Sequence, residues 1–228
     1  MYIARSILIL SFALSSMVVV AQSNEPEKSD STKMEFNWMP TSIRFGVDAV
    51  GLTNTFTRKY YQELEFATDI RIDRFLVDFE YGLLDRSLGS DSLEYQTTGQ
   101  FFRIGVDGNI LYKDPDGNAF FIGLRYCRGT SNHTLNYIYE DPLFTGVRTD
   151  EVELNGLNSR WFELVSGVRV KVLWEVWLGF TGRLKFAHKT DDSLVLQPYI
   201  VPGYGFTSRR AMWELDYYIM YRIPFGKK

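Results

Sequence analysis

The chain offers few groups for chemistry near neutral pH: two histidines and one cysteine in 228 residues. His188 is followed by Asp191, Asp192 and Ser193. A serine, a histidine and a carboxylate brought together can relay a proton as an esterase does, the imidazole taking the serine proton and the acid orienting the ring. No nucleophile elbow frames Ser193, and neighbouring polar residues are what a solvated loop contains. The set His188, Ser193 and Asp191 is therefore a candidate whose simpler reading is a loop.

His133 has no partner at metal-ligand spacing. The acids Glu140, Asp141, Asp150, Glu151 and Glu153 fit no calcium-loop pattern. The expectation is no metal and no cofactor. Cys127 stands alone, which excludes an intrachain disulfide framework and reads as a small packed residue. A second group of residues suits contact more than catalysis. Tyr137, Tyr139 and Phe144, then Tyr199, Tyr204 and Phe206 with Arg209 and Arg210, place aromatics among polar residues. They predict either a surface that recognises a ligand or partner, or loops folded over a barrel mouth. Two prolines and two glycines within 198–205 favour a structured turn and hence the second reading.

The elements that must position these residues follow from period-2 patterning. From Trp213, every second residue is apolar or aromatic: Leu215, Tyr217, Ile219, Tyr221, Ile223, Phe225. The other parity carries Glu214, Asp216 and Arg222. Such alternation is a β-strand with one apolar face. The same pattern predicts strands at 41–50, 62–72, from Phe75 to Gly82, 100–112, 119–128, 159–172 and 176–187, giving eight with 212–225. Between them, long connections at 51–61, 83–99, 129–158 and 188–211 alternate with three short turns. That is the layout of an all-β, eight-stranded antiparallel transmembrane β-barrel, with short periplasmic turns and long extracellular loops. Residues 1–21 read as a signal peptide: Arg5, an apolar run from Ile7 to Val20, and Ala21 before the cleavage point. Residues 22–40 read as a polar periplasmic leader, and 41–228 as the barrel.

A soluble lipocalin-like carrier would also alternate, with its apolar face inward. The strict alternation of long and short connections favours the inverted arrangement, and the glycines add to it. Gly46, Gly82, Gly105, Gly123, Gly167 and Gly179 sit on the charged parity, where a crowded lumen needs small residues and a wet surface does not. Aromatics near strand ends on the apolar parity suit interfacial girdles. The charged parity mixes signs, so its members can pair inside. Eight strands leave no aqueous channel, which excludes conduction of large solutes. The net charge of −3 argues against a nucleic-acid partner.

The eight amphipathic strands and the ending Tyr217-Tyr218-Ile219-Met220-Tyr221-Arg222-Ile223-Pro224-Phe225 resemble small outer-membrane β-barrel proteins. More narrowly, Arg160-Trp161-Phe162-Glu163-Leu164, the stretch 198–205 and Arg222-Ile223-Pro224-Phe225 look like an uncharacterised barrel family of Bacteroidota. The resemblance implies the outer membrane of a Gram-negative bacterium, contact with its lipid, and the barrel-assembly machinery as a partner through the last strand. It assigns no catalytic or binding residue. The expected role is structural or surface interaction, with a rim-located lipid hydrolase and the lipocalin-like carrier as alternatives.

Overall fold

The structure, a computed structural model, describes residues 36–90, 92–140, 147–190 and 197–225. The expected signal peptide and all but the end of the leader lie outside the described residues. Alternating sequence becomes alternating burial. β1 (Pro40–Asp48) leads into helix α1 (Ala49–Thr57) and then β2 (Tyr61–Ile72), β3 (Phe75–Ser90), β4 (Leu93–Asn109), β5 (Ala119–Glu140), β6 (Val147–Leu173) and β7 (Val176–Thr190). A two-residue pair, β8 (Ile200–Val201) and β9 (Gly205–Phe206), precedes β10 (Ala211–Pro224). β1 to β7 and β10 form one closed antiparallel barrel in which each strand pairs with its neighbour in sequence. β10 returns to β1 and closes it through seven register pairs, from Ser42 opposite Pro224 to Asp48 opposite Tyr218.

Burial in this barrel is inverted. Outward positions such as Phe45, Phe66, Phe79, Ile104, Leu124, Leu164, Phe180 and Ile219 are exposed on all eight strands. Inward positions hold Arg44, Asp69, Glu80, Arg103, Arg125, Glu163, Arg169 and Arg183, all fully buried. The lumen glycines make room for these long side chains. A Cβ on Gly105 would meet Arg125, one on Gly123 would meet Asp107, and one on Gly179 would meet Arg169. At the turn end, Asp73 and Trp174 take left-handed backbone conformations in the β2–β3 and β6–β7 reversals, the geometry tight hairpins require.

Two sequence expectations need correction. The stretch 51–61 is largely helical rather than a loop. Asp48 caps α1, its carboxylate accepting the N–H groups of Val50 (3.0 Å) and Gly51 (2.5 Å). Thr53, Thr55 and Thr57 turn their hydroxyls back onto carbonyls one turn earlier, which spares solvent-side partners in a sequence of modest helix propensity. The stretches 83–99 and 129–158 are mostly strand. β3 and β4 stay paired up to Ser90 and Leu93, and β5 pairs with β6 as far as Glu140 and Val147. The outward residues there are largely polar, among them Gln96, Asn132, Glu151 and Glu153, so the apolar signal of a strand fades while the ladder continues.

Candidate functional site

Two levels of the interior bring functional groups together. At mid-height the lumen is an ion-pair network. Arg103 reaches Glu65 (2.6 Å), Glu80 (3.0 Å) and Glu163 (3.1 Å). Arg183 reaches Glu80 (2.9 Å), Glu163 (3.1 Å) and Asp216. Arg125 pairs with Glu80, Asp107 (3.0 Å) and Asp78 (3.3 Å). Glu80 is thus shared by three guanidiniums from β4, β5 and β7. Tyr218 donates its hydroxyl to Glu65, and the Trp161 indole N–H donates to Glu163 at 2.8 Å. Toward the turn end a second group has Arg44 on Asp69 at 2.7 Å, with the Arg44 guanidinium 5.0 Å from the Trp177 ring centre. Charges this deep persist only when paired, and here the pairing runs across the barrel from wall to wall.

The second level is the loop-end mouth, where residues 197–210, ahead of β10, fold inward as a plug. Val201 and Tyr204 pack against Phe101, Cys127 and Trp161. Ile200 packs against Leu84 and Tyr95. The plug turn at Gly203 has φ of +76°, and a Cβ there would sit 2.5 Å from the Phe101 ring, so both backbone and space require glycine. The Gly203 carbonyl accepts from Lys185 Nζ (2.6 Å) and Arg103 Nη2 (3.2 Å), which ties the plug to the ionic layer below.

A chain of neutral groups holds the outer side of the plug. The Tyr95 hydroxyl oxygen accepts the N–H groups of Tyr199 (3.1 Å) and Ile200 (3.3 Å). Its one proton is then free to go to His133 Nδ1 at 2.9 Å. That choice leaves the proton of His133 on Nε2, where it is donated to Ser131 Oγ, also at 2.9 Å. Ser131 and His133 are 2% and 1% exposed. Burial lowers the His133 pKa to about 4, so the ring stays neutral. The arrangement looks like the start of a hydrolytic relay but is wired the other way. An imidazole that donates to serine cannot take its proton.

His188 lies on β7, two strands round the ring from His133 on β5. Its ring stacks on Tyr204 with centres 4.5 Å apart, and its Nε2 lies 3.1 Å from Thr190 Oγ1, which is 3.2 Å from Ser159 Oγ. Burial pushes its pKa below the ordinary value. Asp191, Asp192 and Ser193 lie outside the described residues, and among the described residues no carboxylate pairs with His188. The structure therefore gives His188 a packing role against the plug. No group of three metal-binding side chains occurs among the described residues.

Sequence reasoning passed over Tyr95, Ser131, Trp161 and Ser159. Their signal was parity: Tyr95 and Thr97 continue the inward register of Phe101 and Arg103 through Gly99. With this geometry described, the comparisons add one finding. The chain belongs to a family described as a domain of unknown function (DUF6048), whose pattern it matches over residues 2–228. No curated protein matches it.

Proposed function

We propose that the chain is a monomeric outer-membrane β-barrel of a Gram-negative bacterium, with a structural or surface-interaction role and no open pore. The observation that carries this reading is the inverted burial: an apolar belt exposed on every strand, around a lumen of paired charges. A soluble monomer exposes apolar patches of at most a few hundred Å² (about 300–600 at the largest). A continuous ring of Phe, Ile, Leu and Val is at home against hydrocarbon instead. Its height fits as well. From Trp213 to Phe225, β10 runs for about 40 Å, or roughly 30 Å of height at a barrel-strand tilt of about 40°, enough for an apolar band of about 25 Å with its interfaces. Trp174 at the turn end and Trp213 at the loop end are 79% and 74% exposed, an expense in water and the preferred place of an indole at a membrane interface.

In this reading residues 1–21 direct export, and the turn end faces the periplasm. β10 presents the strand the assembly machinery would engage. The polar extensions of β3 to β6 and the plugged mouth stand outside, where Tyr199 and Phe206 offer an aromatic surface. The charged, filled lumen argues against a lipocalin-like carrier, whose cavity would be apolar and roomy. Fractionation tests the proposal directly. Full-length protein is expected in the outer-membrane fraction, migrating faster on a denaturing gel before boiling than after. Recovery in the soluble periplasmic fraction with no heat-dependent shift would sink it.

A further inference from the structure

Arg128 and Arg160 are register partners across β5 and β6, and Arg160 and Lys189 are partners across β6 and β7. All three side chains are exposed on the outer wall. No acidic side chain pairs with any of them among the described residues, and Arg128 has only a 3.4 Å hydrogen bond to Asn158 Oδ1. One step toward the turn end, the same face of the same strands carries Tyr126, Phe162 and Phe186. These are register partners in turn, with ring centres 5.6 Å and 6.4 Å apart. Three cations therefore lie in a row directly over three aromatic rings.

Two features of the row work against folding stability. Like charges directly opposite across a strand pair repel. The third cation also depends on a distortion. The β6–β7 register slips between Arg160 and Phe162, and Ala187 takes a left-handed φ of +54°. Without that bulge, alternation from Phe186 would turn Lys189 into the lumen and His188 out. With it, His188 stacks under Tyr204 and Lys189 joins the row. Strain held at one place on a surface, together with unneutralised charge, is what a binding site retains. Followed on across β4 and β3, the same register row carries Phe102 and Tyr81 and no cation.

We infer that Arg128, Arg160 and Lys189 bind the phosphate-bearing headgroup of an anionic membrane lipid whose acyl chains lie along Tyr126, Phe162 and Phe186. The inference rests on the membrane reading above. The cations open onto a cleft of about 730 Å³ whose walls also include Tyr126, Asn158 and Pro198, wide enough for a headgroup. Guanidinium and ammonium donors over an apolar wall match an amphiphile with its phosphate at the interface. A soluble anion would use the cations and leave the aromatic row unused.

The test uses full-length protein purified in neutral detergent and offered phosphatidylglycerol and phosphatidylcholine of the same chain length, with retained lipid counted by native mass spectrometry. The wild type is expected to prefer the anionic lipid by on the order of tenfold or more, from the attraction of three cations near the surface. The variant R128Q/R160Q/K189Q is expected to lose that preference. The control R58Q/K59Q/K113Q removes the same charge elsewhere and is expected to keep it. Equal loss in both variants, or no loss in the first, overturns the inference. Displacement of the lipid by millimolar inorganic phosphate, or binding of that phosphate as tight as the lipid, makes this a free-anion site and also overturns it. A wild type that is monodisperse without detergent fails the membrane reading itself. A micelle-requiring, heat-modifiable wild type with no lipid preference fails this inference alone.

Discussion

At mid-height, Glu80 is held by Arg103, Arg125 and Arg183, and no member of that set touches bulk water. Further up the same walls, the mouth is closed by Tyr95, His133 and Ser131, which are equally buried but neutral. Both levels fill the inside of an eight-strand barrel, and they differ in what happens when a partner leaves. A buried charge without its counterion has no low-energy alternative, so the ionic layer holds the barrel as a unit. A buried hydroxyl or imidazole without its partner loses a hydrogen bond and can recover most of it from water. The plug can thus part from the wall while the wall stays closed.

That contrast can be broken or sharpened by experiment. The largest effect is expected at Arg183→Met, which strands Asp216 in the lumen and takes one guanidinium from Glu80 and from Glu163. It should cost about 3–5 kcal/mol, read as a lower temperature for conversion of the compact gel band to the extended one. An unchanged transition would mean that the network is not what holds the barrel. Tyr95→Phe should act on the mouth alone. It leaves the Tyr199 and Ile200 N–H groups and His133 Nδ1 without their shared partner, about 1–3 kcal/mol of local stability. Tryptic cleavage after Arg209 or Arg210 should quicken, with the gel transition unmoved. If the two observables shift together, plug and wall are one cooperative unit.

The smallest effect is expected from pH. His133 has a pKa of about 4 with the plug seated and its ordinary 6.5 when the mouth opens to water. Above 6.5 both states are neutral and the latch has its full strength. As pH falls through 6.5 the open state takes up a proton first, and the latch weakens until the closed state also protonates near 4. At pH 5.5 the loss is ~1.4 kcal/mol by linkage. The protease sensitivity of the plug should therefore rise between pH 7 and 5.5. A His133→Gln variant should keep only the part of this pH dependence that His188, packed on Tyr204, supplies.

The barrel wall was readable in the sequence because outward-facing and lumen-facing positions differ so strongly. Glycine beside arginine on one parity, as at Gly105 and Arg125 in neighbouring strands, marked the crowded inside. Legibility ended where that contrast ended. In Leu93–Asn109 the first six residues are strand with polar outward positions, and nothing apolar on the outside announces them. The helix after Asp48 was missed because threonines argue against helix while a single capping aspartate argues for it. The mouth was the least readable part. His188, Asp191 and Ser193 were grouped because they are neighbours in sequence. Tyr95 and His133 meet across 38 positions only because β4 and β5 keep their register past the apolar belt. Side-chain clusters of that kind belong to the ladder and leave no local motif.

The closing seam of the barrel also sets the order in which the chain can fold. β1 meets β10 through seven pairs, whereas β5 and β6 pair along nearly their whole length as a hairpin. Across the seam, the Tyr217 N–H reaches the Asp48 carboxylate over 169 positions of chain. Hairpins close short loops and regain their entropy at once, while the seam demands the largest loss of chain freedom for a short ladder. Zipping therefore proceeds from hairpin to hairpin. The ring shuts last, after the charged side chains that must fill it have been carried into place on both halves of the wall.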